Sequence, residues 1–261
     1  MVPKKIHYCW LGGEKMTDDT MRCIESWKRV MPDYELVLWD KNRFDVDSVP
    51  FTQEAYRVKK WAFAADYIRL YAIYTEGGIY LDTDVYVRKS FNDLLKNDFF
   101  TAMEYHKSII INDNAAELLH DDGTLKHPER DRIFAHGIGI QSAFLGGIKG
   151  HPFIKSCLDW YRDKHFILPD GSYYNRIVAP AIYADVMMGY GFRYKDELQK
   201  LHNGITVYPS SVFAGSIREV GKESYAVHCC HGNWREKSLI SILKRTYKKF
   251  YVNWSLRWTA L

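Results

Sequence analysis

The chain has 261 residues, enough for one large domain or two small ones with a sizeable core. Its 47% apolar and 26% charged side chains are the balance of a soluble globular protein. The net charge of +4 is concentrated at one end: 235–261 hold seven basic residues and one acidic, so the preceding 234 residues sum to −2, which excludes a basic nucleic-acid-binding body.

In chain order, 6–11 predict a first strand that stops at Gly12-Gly13. Thr17 or Asp18 caps a helix that runs to about Met31, where Pro32 stops it. Residues 34–39 alternate as a second strand. Residues 51–75 carry Trp61, Ala64, Ala65, Ile68, Leu70 and Ala72 near helical spacing and predict one helix, ended by Gly77-Gly78. Residues 79–87 predict a third strand. This alternation predicts an α/β sheet with parallel pairing.

Further along, 104–135 are polar and include the turn signal Asp121-Asp122-Gly123, which predicts a long loop. Strands are expected at 141–145, 205–208 and 225–229, and helices at 151–164 and 179–188. From 238 to 258, Leu239, Leu243, Tyr247, Phe250, Trp254 and Trp258 share one helical face, with Lys244, Arg245, Lys248 and Lys249 opposite. The chain divides as 1–236 and a basic amphipathic helix at 237–261. The five cysteines lack a framework spacing, and the N-terminus lacks an apolar signal run. Both fit a cytoplasmic location.

The run Glu76-Gly77-Gly78-Ile79-Tyr80-Leu81-Asp82-Thr83-Asp84 carries the chemistry. On a continuous strand, Asp82 and Asp84 point to one face. Two carboxylates on one face repel unless a cation lies near them, and a hard divalent ion such as Mn²⁺ or Mg²⁺ suits oxygen ligands that also meet phosphates. The same spacing also occurs in solvated strands. Upstream, Asp66 and Arg69 share a face of an otherwise apolar helix, as an ion pair or as a binding pair.

The segment Trp61-Ala62-Phe63-Ala64-Ala65-Asp66-Tyr67-Ile68-Arg69-Leu70, joined to the run above, resembles the signature of the glycosyltransferases called family 32. The opening 3–12 and the blocks 147–153 and 226–234 are similar to further parts of that family. The resemblance also extends to the catalytic core of the clostridial glucosylating toxins. It implies a GT-A fold, with a Rossmann-like mixed sheet flanked by helices, a nucleotide-sugar donor, a saccharide acceptor and a Mn²⁺ or Mg²⁺ ion. Carried over by position, Trp10 stacks on the base, and Asp66 and Arg69 hold the ribose and sugar. Tyr80 lies beside the phosphates, Asp82 reaches the ribose, metal or sugar, Asp84 binds the metal, and Trp234 contacts the pyrophosphate.

Where relatives carry His-His-Trp and then Ser-Trp, this chain reads His228-Cys229-Cys230-His231-Gly232-Asn233-Trp234. His231 and Asn233 are the candidates for a further metal ligand. The resemblance implies a retaining transfer of a hexose, UDP-linked or mannosyl from GDP, in bacterial surface-polysaccharide synthesis or toward a protein. A hydrolase reading requires carboxylates farther apart than a two-residue strand spacing. A non-catalytic sugar binder requires neither nucleotide nor metal. The basic helix suits an anionic membrane surface at the inner face, with a lipid-linked saccharide acceptor, and equally suits packing on the domain.

Overall fold

The structure, a computed structural model, describes residues 1–127, 135, 137–174 and 178–229. The expected helix at 237–261 lies outside the described residues. Strand β1 is Lys5–Cys9, β2 Glu35–Trp39, β3 Gly78–Leu81, β4 Val85–Val87, β5 Phe99–Tyr105, β6 Ile138–Ile140, β7 Phe144–Gly147, β8 Gln199–Lys200, β9 Ile205–Tyr208, β10 Phe213–Ala214 and β11 Ala226–His228. The α-helices are α1 Asp18–Val30, α2 Pro50–Arg57, α3 Trp61–Glu76, α4 Lys107–Asn112, α5 Pro152–Tyr161 and α6 Ala179–Met188.

An eight-stranded mixed sheet runs β2-β1-β3-β7-β5-β9-β8, with β6 added on β5. Strands β1, β2 and β3 are parallel, as the alternation predicts. β7 is antiparallel to both β3 and β5, so β5 again runs with β3, and β9 with β5. Five strands therefore end on one edge. A second sheet, β10-β11-β4, lies off the first.

The sheet is the middle of three layers. Tyr80, Phe99 and Met103 point into a core shared with Ala64, Ile68, Ile73, Ile154, Cys157 and Ile182 of α3, α5 and α6. Ile79, Leu81, Phe100 and Ala102 point the other way, onto Ile24 and Trp27 of α1 and onto the small sheet. This is the period-two alternation of strands buried on both faces.

Helix α1 begins where Thr17 accepts a hydrogen bond from the Thr20 amide at 3.2 Å, with Asp18 and Asp19 in its first turn and Lys28 and Arg29 in its last. It clamps β4: Trp27 donates its indole N–H to the Val85 carbonyl at 2.7 Å, and the Val87 amide donates to Ser26 Oγ at 2.9 Å.

Four expectations are corrected. The helix expected over 51–75 is two, broken at Lys59, whose φ of 59° lies in the left-handed region that ends helices. The strand expected over 79–87 is also two, β3 in the large sheet and β4 in the small one, with a turn at 82–84. The loop expected from 104 begins inside β5 and contains α4. The strand expected at 141–145 starts three residues later, at Phe144.

Candidate functional site

The site is built at the edge where the parallel strands end. Gly77 and Gly78 turn the chain from α3 into β3 at φ 67° and 117°. A Cβ at Gly78 would meet His7 Nε2 and the Lys5 carbonyl at 3.0 Å, so this turn needs glycine. His7, fully buried, joins three elements there. Trp39 Nε1 donates to its Nδ1 at 3.0 Å, and its Nε2 donates to the Gly77 carbonyl at 2.8 Å. Burial lowers the His7 pKa, which keeps the ring neutral in that tautomer.

Arg69 is the charge at the base of the site. It is 4% exposed and meets Asp66 Oδ1 at 2.9 Å and Asp82 Oδ1 at 3.4 Å. It donates to the Ser142 and Ala65 carbonyls at 2.7 and 3.2 Å, and its guanidinium stands 4.9 Å from the centre of the Tyr80 ring. Tyr80 donates its hydroxyl to the same oxygen of Asp82 at 2.9 Å. Burial pushes the Asp66 carboxyl up to about 7; Arg69 opposes the shift and Asp82 adds to it. One buried cation thus serves two carboxylates.

Asp82 and Asp84 do not share a strand face, because the ladder stops at Leu81. They converge through the turn instead: the Asp82 amide donates to the Ala143 carbonyl at 2.9 Å and the Val85 amide to the Asp82 carbonyl at 3.0 Å. Strand β11 brings the third member. His228 pairs in register with Val85, and the Cys229 amide donates to the Asp84 carbonyl at 2.9 Å. His228 Nε2 lies 3.1 Å from Asp84 Oδ1.

Ligand atoms of Asp82, Asp84 and His228 all lie within 4.8 Å of one another. A six-coordinate ion with bonds of about 2.1 Å holds adjacent ligands about 3 Å apart and opposite ones about 4.2 Å apart. The three residues fit such an ion. Two carboxylates with one imidazole suit Mn²⁺ better than Mg²⁺, which prefers oxygen alone.

Trp10 stands one residue beyond β1 on this edge, its indole N–H on the Glu14 carbonyl at 2.6 Å. His231, Asn233 and Trp234 lie outside the described residues. Among the described residues, His228 joins the aspartates. The signal for it was its place at the end of a strand paired to Val85. No sequence signal pointed to His7.

Residues 17–101 match the family described as "Glycosyltransferase sugar-binding region containing DXD motif". The chain is 30% identical over 122 residues to an uncharacterized glycosyltransferase of Acanthamoeba polyphaga mimivirus, covering 43% of this chain and 47% of that one. It is 33% identical over 101 residues to inositol phosphoceramide mannosyltransferase 3 of Schizosaccharomyces pombe, covering 36% and 27%. The matches thus span about half and about a quarter of these relatives. Among solved structures, the galactosyltransferase LgtC with donor and acceptor sugar analogs is similar at 14% identity, TM-score 0.42, over 87% of each chain. Mouse xyloside xylosyltransferase 1 is similar at 9% identity, TM-score 0.46, over 89% of this chain and 99% of that one. The stretch holding Asp66, Arg69, Tyr80, Asp82 and Asp84 therefore belongs to the glycosyltransferase sugar-binding family with the DXD motif.

Proposed function

We propose that this chain is a GT-A glycosyltransferase that uses a divalent cation, Mn²⁺ by preference, to transfer a hexose from a nucleotide-sugar to a saccharide acceptor. The observation that carries this reading is the convergence of Asp82, Asp84 and His228 within 4.8 Å, at the carboxyl edge of the parallel strands of a mixed sheet. A bound divalent ion would supply Lewis-acid neutralisation of the charge that gathers on the leaving diphosphate. The chain's own residues orient and hold. Tyr80 and Arg69 fix Asp82. Asp66 and Arg69 face the donor's ribose and sugar. Trp10 stacks on the base. Trp234 is the proposed contact to the pyrophosphate, and His231 or Asn233 a proposed further metal ligand.

The transfer is proposed to be retaining, from a UDP-linked hexose, in the synthesis of a bacterial surface polysaccharide. A second reading, transfer of mannose from GDP-mannose, is favoured by the likeness to the S. pombe mannosyltransferase. Calorimetric titration with UDP and with GDP, each with and without Mn²⁺, separates the readings. Binding of one nucleotide only when Mn²⁺ is present is expected; nucleotide-independent sugar binding would return the chain to the sugar-binding class.

The basic stretch 237–261 is proposed to rest on an anionic membrane surface and meet a lipid-linked acceptor there. Among the described residues, no helix is long and apolar enough to cross a membrane. Equal sedimentation with anionic liposomes by the full chain and by a chain ending at Glu236 would count against this surface role.

A further inference from the structure

Near the metal-ligating cluster, a second group of ionisable side chains lies at the end of another strand of the same direction. Glu104 lies in the last turn of pleat of β5, the strand that runs parallel to β3, and His106 follows the strand's end. Glu104 Oε1 takes a hydrogen bond from His106 Nε2 at 2.9 Å. The imidazole is 30% exposed and the carboxylate 23%, so both are held by the fold and still open to solvent.

The backbone fixes where the ring sits. The His106 amide donates to the Gly137 carbonyl at 2.6 Å, and the His106 carbonyl accepts from the Ile109 and Ile110 amides at 2.9 and 3.1 Å. Gly215 lies opposite. A methyl there would be 3.6 Å from His106 Cε1 and 3.3 Å from Glu219 Oε2, so the 215–219 turn faces the ring. Glu104, then Glu219, raises the His106 pKa, while burial and nearby His228 lower it; the net is upward. His228, a member of the metal-ligating cluster, is thus near His106.

With Nε2 committed to Glu104, Nδ1 is the ring nitrogen that meets no described protein group. Nδ1 accepts a hydrogen bond when the ring is neutral and donates one when the ring is charged, the form that Glu104 favours. A partly open imidazole of that kind, near His228 of the metal-ligating cluster, suits a hydroxyl group.

We propose that the Glu104–His106 pair is the acceptor side of the site, with His106 Nδ1 hydrogen-bonded to a hydroxyl of the incoming saccharide and Glu104 holding the ring. This rests on the transferase reading above. The pair binds and positions the acceptor and takes no part in holding the nucleotide.

The test measures nucleotide release from UDP-glucose, UDP-galactose and GDP-mannose by the full chain with Mn²⁺. Each donor is offered alone and with methyl β-galactoside, methyl β-glucoside or methyl α-mannoside. In wild type, one glycoside should raise release above the rate with water. His106→Ala should raise the KM for that glycoside about tenfold or more. His106→Asn, whose amide oxygen reaches roughly the place of Nδ1, should stay within about threefold of wild type. Release without glycoside should change less than about twofold in either variant. Equal KM values in wild type and His106→Ala would overturn the proposal. So would a matching fall in glycoside-free release, which would move His106 to the donor side, and so would a wild type that no glycoside stimulates. Failure of the transferase reading itself looks different: no donor is cleaved and no Mn²⁺-dependent nucleotide binding appears in wild type.

Discussion

Tyr80 and Arg69 converge on one oxygen of Asp82, Oδ1, from 2.9 and 3.4 Å. That oxygen is oriented by two groups from different elements, one from β3 and one from α3. Partners of this kind behind a ligand typically change metal affinity by tenfold to a hundredfold. Tyr80→Phe keeps the buried ring and its contact with Arg69 while deleting the hydroxyl. Mn²⁺ affinity is expected to fall about tenfold, with thermal stability nearly unchanged. Calorimetry with Mn²⁺ and UDP checks this, and wild-type affinity in the variant would remove Tyr80 from the orienting set.

Asp84 sits in the turn between the two sheets and meets His228. Asp84→Asn keeps the shape and removes the charge. Nucleotide release from the sugar donor should fall about a hundredfold or more, and Mn²⁺-dependent UDP binding should disappear. Circular dichroism of the variant should match wild type. Retained activity would move the metal elsewhere.

His7 links Trp39 to Gly77 and is neutral in the fold. Burial lowers its folded pKa below the ordinary 6.5, so the folded state takes up fewer protons than the unfolded chain as pH falls through that range. The associated stability is complete above about pH 6.5 and drains away below it. His7→Phe leaves the indole N–H and the Gly77 carbonyl buried without partners, and should cost about 2 kcal/mol or more at pH 7.5. Urea unfolding at pH 7.5 and pH 5.5 should show a smaller drop in the variant than in wild type. An identical pH dependence would refute the neutral-ring assignment.

Lys59 holds a left-handed conformation between α2 and α3 at φ 59°. A non-glycine residue there costs about 1 kcal/mol. Lys59→Gly should therefore stabilise the fold by up to that amount, less the added freedom of the unfolded chain. Denaturant midpoints for the two proteins decide it.

The order of elements through residue 87 was legible because strands β1 to β3 are regular apolar runs separated by a capped helix and a paired glycine. What escaped was made by long-range pairing. Asp82 and Asp84 read as neighbours on one pleat, because nothing local shows that Leu81 ends one sheet and Val85 starts another. Strand β5 was hidden because Phe99 to Met103 is buried on both faces and does not alternate. β8 and β10 are two residues each, too short to carry a period. Within the site, Asp66 and Arg69 were legible by local spacing, and Tyr80 through the family resemblance. His228 was underweighted, since its approach to Asp84 depends on β11 crossing back to β4 over more than a hundred residues. His7 reads locally as one polar residue in an apolar strand; only the fold supplies its two partners.

The turn at 82–84 belongs to neither sheet, and that gives the ion a mechanical role. Asp82 ends a strand of the large sheet, while Asp84 and His228 flank the paired strands of the small one. An ion shared by the three would fasten the two sheets together like a rivet.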